Sequence, residues 1–222
     1  MSKTHNIKIA KKKDIKLIMY FIKKNWDENH IMAKNYNFFC YEFLNNKYVN
    51  FILAYNKKTK ILEAIQGFIP YGNTKNKHIC GSITCVNQKS KKPYLGIETM
   101  SAMLQITKPK TYCGIGTNFK TMIPLVKKFF KRNVGMMDHY YIVNNTLKKY
   151  KIAKISKKNR SLFCRISNQY NLRKIQNFES LNKQFNLNKN LKYFPNKDSS
   201  FLKKRYFQHP IYNYICYGVF NN

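Results

Sequence analysis

The sequence predicts a mixed α/β (α+β) fold, with a largely antiparallel central sheet flanked by helices and a partial second unit after it. Three observations carry this. β-rich runs and helix-period stripes follow one another in the order β-α-α-β-β-β-α-β-α-β up to about Asn144. The middle of that order is a hairpin, and hairpins make antiparallel pairs. The composition is 44% hydrophobic, with 16 Phe and 17 Tyr, which is enough side-chain volume to fill a core.

Ile7-Lys8-Ile9-Ala10 reads as a short opening strand. Asp14 then stands where its carboxylate can accept the free amide hydrogens of a first helical turn. Ile15, Ile18, Met19, Ile22 and Trp26 follow at helical spacing and mark one apolar stripe. A second helix is expected from about His30 to Leu44, with Ile31, Phe38, Tyr41 and Phe43 among its larger groups. Val49–Tyr55 and Ile61–Ile69 are the hairpin strands, joined by polar Asn56–Lys60 and closed by Pro70, Gly72 and Asn73.

A further strand spans about His78 to Val86, with Ile79, Ile83 and Val86 as its β-branched apolar members. The basic loop Asn87–Pro93 leads into a helix from about Leu95 to Leu104, and Thr111–Gly116 is the next strand. A helix begins at Asn118 or Thr121, with Pro124 early in it. Lys127, Lys128, Lys131 and Arg132 lie towards its end, where the helix dipole favours cations. Met136–Val143 is the last strand. Composition shifts to Lys and Asn after Tyr150, so we divide the chain into a domain at 1–150, a linker at 151–160 around Lys154–Asn159, and a partial second unit or tail at 161–222.

The formal charge of +33 would suit a phosphate backbone, from which bound cations release counterions. Yet only Arg132, Arg160, Arg165, Arg173 and Arg205 are Arg, whereas base readout favours the guanidinium fork. Lys, Asn, Ile, Tyr and Phe are enriched together, and all have AT-rich codons. Specific nucleic-acid binding is therefore not expected; attraction of small anions such as nucleotides, nucleotide sugars or coenzyme A is. No apolar run approaches the roughly 18 residues of a membrane span, and no signal-peptide stretch follows basic Met1–Lys13. No membrane span is expected, and a cytoplasmic protein is the default. Cys40, Cys80, Cys85, Cys113, Cys164 and Cys216 include no Cys-x-x-Cys pair or zinc spacing, so reduced structural thiols and no metal are expected.

Several stretches carry a likeness by their order and spacing. They are Trp26-Asp27-Glu28-Asn29-His30-Ile31 with Ala33-Lys34, then Asn50-Phe51-Ile52-Leu53-Ala54-Tyr55 and Gly67-Phe68-Ile69-Pro70. Cys113-Gly114-Ile115, Asn118, the helix near Pro124, and His139-Tyr140-Tyr141-Ile142 with Asn144 complete the set. Over roughly residues 5–150 the chain resembles the N-terminal domain of bacterial sugar acyltransferases of surface-polysaccharide biosynthesis, within the GNAT superfamily of acyl-CoA-dependent acyltransferases. Lys204-Arg205-Tyr206-Phe207-Gln208-His209-Pro210, with Tyr212 and Tyr214, resembles the segment that opens a second GNAT-like half in such proteins. That half is expected to be shortened here, and Arg205 with His209 would be an anion-binding pair in a complete one.

The resemblance implies acetyl-CoA or another acyl-CoA as co-substrate and a sugar or nucleotide sugar as acceptor. It lays the pantetheine along Ile83, Thr84, Cys85 and Val86. It puts the pyrophosphate at the junction of Tyr94, Leu95, Gly96 and Ile97, a helix start whose free amides favour an anion, and adds Asn118 to the cofactor contacts. Trp26, His30 and Tyr140 fall on the acceptor side. The family's loop pattern is Arg/Gln-x-x-Gly-x-Gly/Ala, for which this chain has Pro93, Gly96 and Glu98. Val126 stands where many members carry a Tyr acid.

Acyl transfer from a thioester needs a deprotonated acceptor, a polarised carbonyl and fixed geometry. Among nine carboxylates, Glu63 on a hairpin strand and Glu98 beside the loop can each face a cleft or solvent. Asp138-His139-Tyr140-Tyr141 is the densest polar-aromatic cluster, and strand alternation sends Asp138 and Tyr140 to one face, His139 and Tyr141 to the other. His139 can act as a base near neutral pH, or be a hydrogen-bonded structural histidine. The catalytic candidates are thus His139, Asp138 and Glu63. A silent GNAT-like binding domain and a basic nucleic-acid binder are the alternatives, and a homodimer is left open.

Overall fold

The computed structural model describes residues 2–46, 48–71, 78–131, 133–135, 169–187 and 197–221. Strand β1 (His5–Lys11) leads through a single 3-10 turn (Lys12–Asp14) into helix α1 (Ile15–Asn25), whose Ile15, Ile18, Phe21 and Ile22 are buried. Asp14 occupies the N-cap position, but its carboxylate turns back to accept the Lys11 amide at 2.8 Å rather than a helix amide. The expected apolar stripe ends one residue early, because Trp26 at the C-cap is half exposed.

The second expected helix is two helices, α2 (Ile31–Lys34) and α3 (Tyr36–Phe43). The break is at Asn35, whose extended backbone lets its side chain accept the Phe38 amide at 2.9 Å. A capping Asn offers the backbone a hydrogen bond that competes with helix continuation. Strand β2 (Leu44–Asn45) turns into β3 (Tyr48–Asn56), which pairs antiparallel with β1 and with β4 (Leu62–Tyr71). Strand β5 (His78–Val86) adds antiparallel to β4, and α4 (Leu95–Thr107) crosses back so that β6 (Thr111–Gly114) lies parallel to β5. Helix α5 (Met122–Phe130) follows. The fold is therefore mixed α/β, with a mostly antiparallel six-stranded sheet.

Alternation along β3 supplies both layers of the core. Phe51 and Leu53 pack with Ile18, Ile22, Phe39 and Phe43 of α1 and α3, while Ile52 packs with Met100 and Met103 of α4. Rings of Phe39, Phe43 and Phe51 lie 4.6–5.5 Å apart, at the heart of the first layer.

The C-terminal segment forms a second, two-stranded sheet from β7 (Tyr170–Ile175) and β8 (Cys216–Asn221), with α6 (Phe178–Gln184) and α7 (Ser199–Leu202) between them. A π-helical turn, Lys203–Phe207, follows α7 and docks on α3. There Arg205 binds Glu42 at 2.8 Å, so the pair Arg205–His209 is not a free anion site: its guanidinium already holds a carboxylate. No described helix is long and apolar enough to cross a membrane. The expected strand at Met136–Val143 and the linker lie outside the described residues.

Candidate active site

β5 and β6 run side by side only from the His78–Thr111 pair to the Gly81–Gly114 pair. Beyond it β5 continues to Val86, while the other chain departs through Ile115–Asn118 towards α5. The two diverging segments wall a cleft of about 1330 Å³, with Trp26, Thr84, Val86, Asn118 and Val126 in its lining.

A bulge sits where the strands part. Gln66 of β4 faces Thr84 and Phe68 faces Gly81, so the single residue Gly67 stands opposite both Ser82 and Ile83. The extra residue reverses the alternation of β5. Ile79 packs on the α4 layer, whereas Ile83 and Cys85 pack on the α1 and α3 layer. It also takes one residue of β5 out of the regular ladder with β4. Thr84 is anchored beside it: its hydroxyl donates to Gln66 Oε1 at 2.6 Å, and Gln66 is fully buried.

The cleft is lined along β5 as far as Val86, and the start of α4 lies against that residue. The first amides of that helix have no intrahelical acceptor and carry the positive end of its dipole. Tyr94 precedes it in the left-handed region (φ 56°, ψ 19°), a conformation costing a non-glycine residue on the order of 1 kcal/mol. A Cβ on Gly96 would lie 3.3 Å from Val86 Cγ2, so glycine lets the helix start close against the end of β5. The Glu98 carboxylate in this first turn is paired with Lys92 Nζ at 2.9 Å. Burial raises its pKa, but hydrogen bonds from Lys92 and Ser2 and the nearby cations outweigh this and hold it below the usual carboxylate range. A negative charge that would repel a phosphate at this helix start is thus neutralised locally.

Solved acetyltransferases resemble this chain. An aminoglycoside N-acetyltransferase in complex with CoA matches at 7% identity and a TM-score of 0.47, covering 64% of this chain and 98% of that one. A predicted acetyltransferase with acetyl-CoA from Clostridium acetobutylicum matches at 15% identity and a TM-score of 0.44, over 63% and 96% of the two chains. A mosquito arylalkylamine N-acetyltransferase-like protein matches at 10% identity and a TM-score of 0.41, over 56% and 82%. No family model and no curated protein matches the sequence.

Of the residues singled out in the sequence, Trp26, Thr84, Cys85, Val86 and Asn118 line the cleft. Tyr94, Leu95, Gly96 and Ile97 form the helix start beyond Val86, with Leu95 and Ile97 buried. His30 instead caps α2, accepting the Met32 amide at 3.3 Å. Glu63 lies outside the cleft lining. Its oxygens accept from Asn56 (2.9 Å), Ser90 (2.7 Å) and the His5 ring (3.0 Å), which ties the loop after β5 to β1 and β3. Asp138, His139 and Tyr140 lie outside the described residues.

The sequence reading passed over Gly81 and Tyr112. A Cβ on Gly81 would collide with the Tyr112 hydroxyl, so the glycine seats that ring at the apex of the cleft. A glycine inside an apolar strand was the available signal. Among the described residues, no group of His, Cys, Asp and Glu could hold a metal ion.

Proposed function

We propose that this chain transfers an acyl group from acetyl-CoA or another acyl-CoA to a sugar or nucleotide-sugar acceptor. The observation that carries the reading is the β5 edge beyond Gly81, bulged at Ser82–Ile83 and directed at the start of a 13-residue helix. An extended amide-bearing chain such as pantetheine can add to such an edge through main-chain hydrogen bonds, as strand-adding peptides do. A pyrophosphate then reaches the amides of Leu95, Gly96 and Ile97.

This places the thioester carbonyl at the bulge, where a peptide amide released from the ladder can donate to the oxyanion that forms on attack. The acceptor nitrogen or oxygen adds to the carbonyl and loses its proton. The intermediate then collapses, the C–S bond breaks, and the proton ends on the CoA sulfur. Transfer is direct. Burial pushes the Cys85 thiol up to about 11, and it donates to the Asn25 carbonyl at 3.4 Å, so it is no thiolate nucleophile.

His139 is the proposed base, with Asp138 beside it in sequence; Gly135, four residues before His139, lines the cleft. The sugar acceptor rests on the resemblance of the N-terminal stretches. A second reading, binding without turnover, is favoured by Val126, which lines the cleft where a Tyr acid would stand.

Calorimetric titration with acetyl-CoA, using desulfo-CoA and ATP as charge controls, tests the donor site. Selective acetyl-CoA binding supports it; weak binding of all three that fades together with salt removes it. Turnover lost in His139→Ala with binding intact separates the enzyme from the silent domain.

A further inference from the structure

We propose that the docked C-terminal segment completes a second pocket, which binds a single-ring organic anion against the apex of the cleft. The pocket encloses about 270 Å³ between α3, the paired ends of β4 and β5, and the stretch from Lys197 to Tyr206. That volume lies just below the usual range of ligand sites, about 300–1,000 Å³, and suits one ring with a substituent.

The walls define the ligand. Tyr41, Tyr71, Phe201 and Tyr206 contribute aromatic faces, and the Tyr71 and Phe201 rings stand 5.4 Å apart. Such faces hold a planar or sugar ring by apolar contact. Lys197, Lys204 and Arg205 supply cations at the same pocket. Arg205 is matched by Glu42 at 2.8 Å, which leaves a net charge of about +2 from the two lysines facing a ligand. Lys204 Nζ lies over the Tyr41 ring at 4.9 Å, a cation–π contact that places the ammonium, while the Tyr41 hydroxyl donates to the Lys204 carbonyl and ties its backbone to α3. A ring carrying a phosphate or carboxylate fits this set, whereas a neutral or cationic ring leaves the lysines without a counter-charge.

Its position links it to the cleft. Cys80 lines the pocket, and its parallel-register partner Cys113 lines the cleft. Tyr71 lines the pocket and shares a 3.4 Å hydrogen bond with the Cys113 thiol. The two spaces are therefore separated by one layer of side chains. Binding at this pocket does not depend on the acyl-transfer reading.

The test is calorimetric titration of the full chain with phenyl phosphate and glucose 6-phosphate, against phenol, glucose and inorganic phosphate. Either ring phosphate should bind where its neutral ring and inorganic phosphate do not. Lys204→Gln and Lys197→Gln should each weaken it by about tenfold, the loss of one charge-assisted hydrogen bond. Both lysines are exposed, and Lys197→Gln leaves the Lys204–Tyr41 contact intact, so it keeps the fold if Lys204→Gln does not. Equal binding of inorganic phosphate, no binding of either ring phosphate, or affinity unmoved by Lys197→Gln overturns the proposal. Acetyl-CoA titrated into the same proteins reads the donor site separately: ring-phosphate binding without acetyl-CoA binding keeps the pocket and rejects the acyl-transfer reading.

Discussion

Arg205 Nη1 donates to Glu42 Oε1 at 2.8 Å across 163 positions of sequence, and this bond fastens the C-terminal segment to α3. Glu42 is 5% exposed, whereas the Arg205 side chain is 40% exposed. A carboxylate buried this deeply is costly without its partner. Arg205→Ala should therefore lose about 1–3 kcal/mol in urea denaturation, less than a fully buried pair because the guanidinium is partly wet. Glu42→Gln keeps the shape and one acceptor, and should lose less. Limited proteolysis of Arg205→Ala should cut first within 197–221. An unchanged cleavage pattern would mean that the rings around His209 hold the segment without the ion pair.

Those rings set the acid response. The His209 side chain is fully buried among Phe38, Tyr41, Tyr212 and Tyr214, and its Nδ1 accepts the amides of Ile211 (3.2 Å) and Tyr212 (3.0 Å). Burial pushes its pKa down and the Arg205 charge adds to this, while Glu42 opposes both. Burial and the Lys110 charge push His78 down as well. A base with a depressed folded pKa takes its proton more readily when unfolded. Its stabilisation is complete above the unfolded value of about 6.5 and is lost as pH falls through the folded value. Thermal midpoints should stay level from about pH 8 to about pH 7 and decline towards about pH 5. His209→Phe should flatten that decline; an unaltered slope would assign it to His78.

How much of this was legible depends on the range of the interactions involved. β5 lies at His78–Val86 as its β-branched pattern predicts, and the hairpin strands agree within two residues, because period-2 patterning is local. The break at Asn35 was readable in principle, since Asn is a capping residue, but the surrounding Ile31, Phe38 and Phe43 mask it as one continuous stripe. The bulge at Ser82–Ile83 is different. It arises from the register against β4, and one strand's sequence does not state its partner's register. Glu42 likewise reads as a surface carboxylate until Arg205 is brought to it from another part of the chain. For the site, strand and helix start followed from local pattern, whereas the commitment of Glu63 to His5, Asn56 and Ser90 required the assembled sheet.

The Gly81–Tyr112 contact makes a sharp test of the cleft's apex. A methyl at Gly81 meets the Tyr112 hydroxyl and ring, and overpacking of this kind costs about 1–3 kcal/mol. Gly81→Ala should lower stability and weaken acetyl-CoA binding, because the ring that must yield lines the cleft. Tyr112→Phe removes the nearest atom, so the double variant should recover part of the loss in a double-mutant cycle. Strict additivity would show that the ring does not move.

The Lys92–Glu98 pair governs the other end. Glu98 lies in the first turn of α4, and Lys92 cancels its charge from 2.9 Å. Lys92→Ala removes the main cause of the depressed Glu98 pKa, but a carboxylate in its ordinary range of about 4.3 is still ionised near neutral pH. That charge would then face any pyrophosphate at the Leu95–Ile97 amides. A charge at a helix end is worth about 0.3–1 kcal/mol, so acetyl-CoA binding should weaken roughly two- to fivefold in Lys92→Ala. Glu98→Gln should tighten it by a similar factor, and in Lys92→Ala/Glu98→Gln the loss should disappear. The changes should shrink in high salt, since both groups are about one-third exposed. Titrations at low and high salt check this directly. If Glu98→Gln leaves the affinity of acetyl-CoA where it was, the phosphates do not sit at the start of α4, and the donor must lie elsewhere along β5.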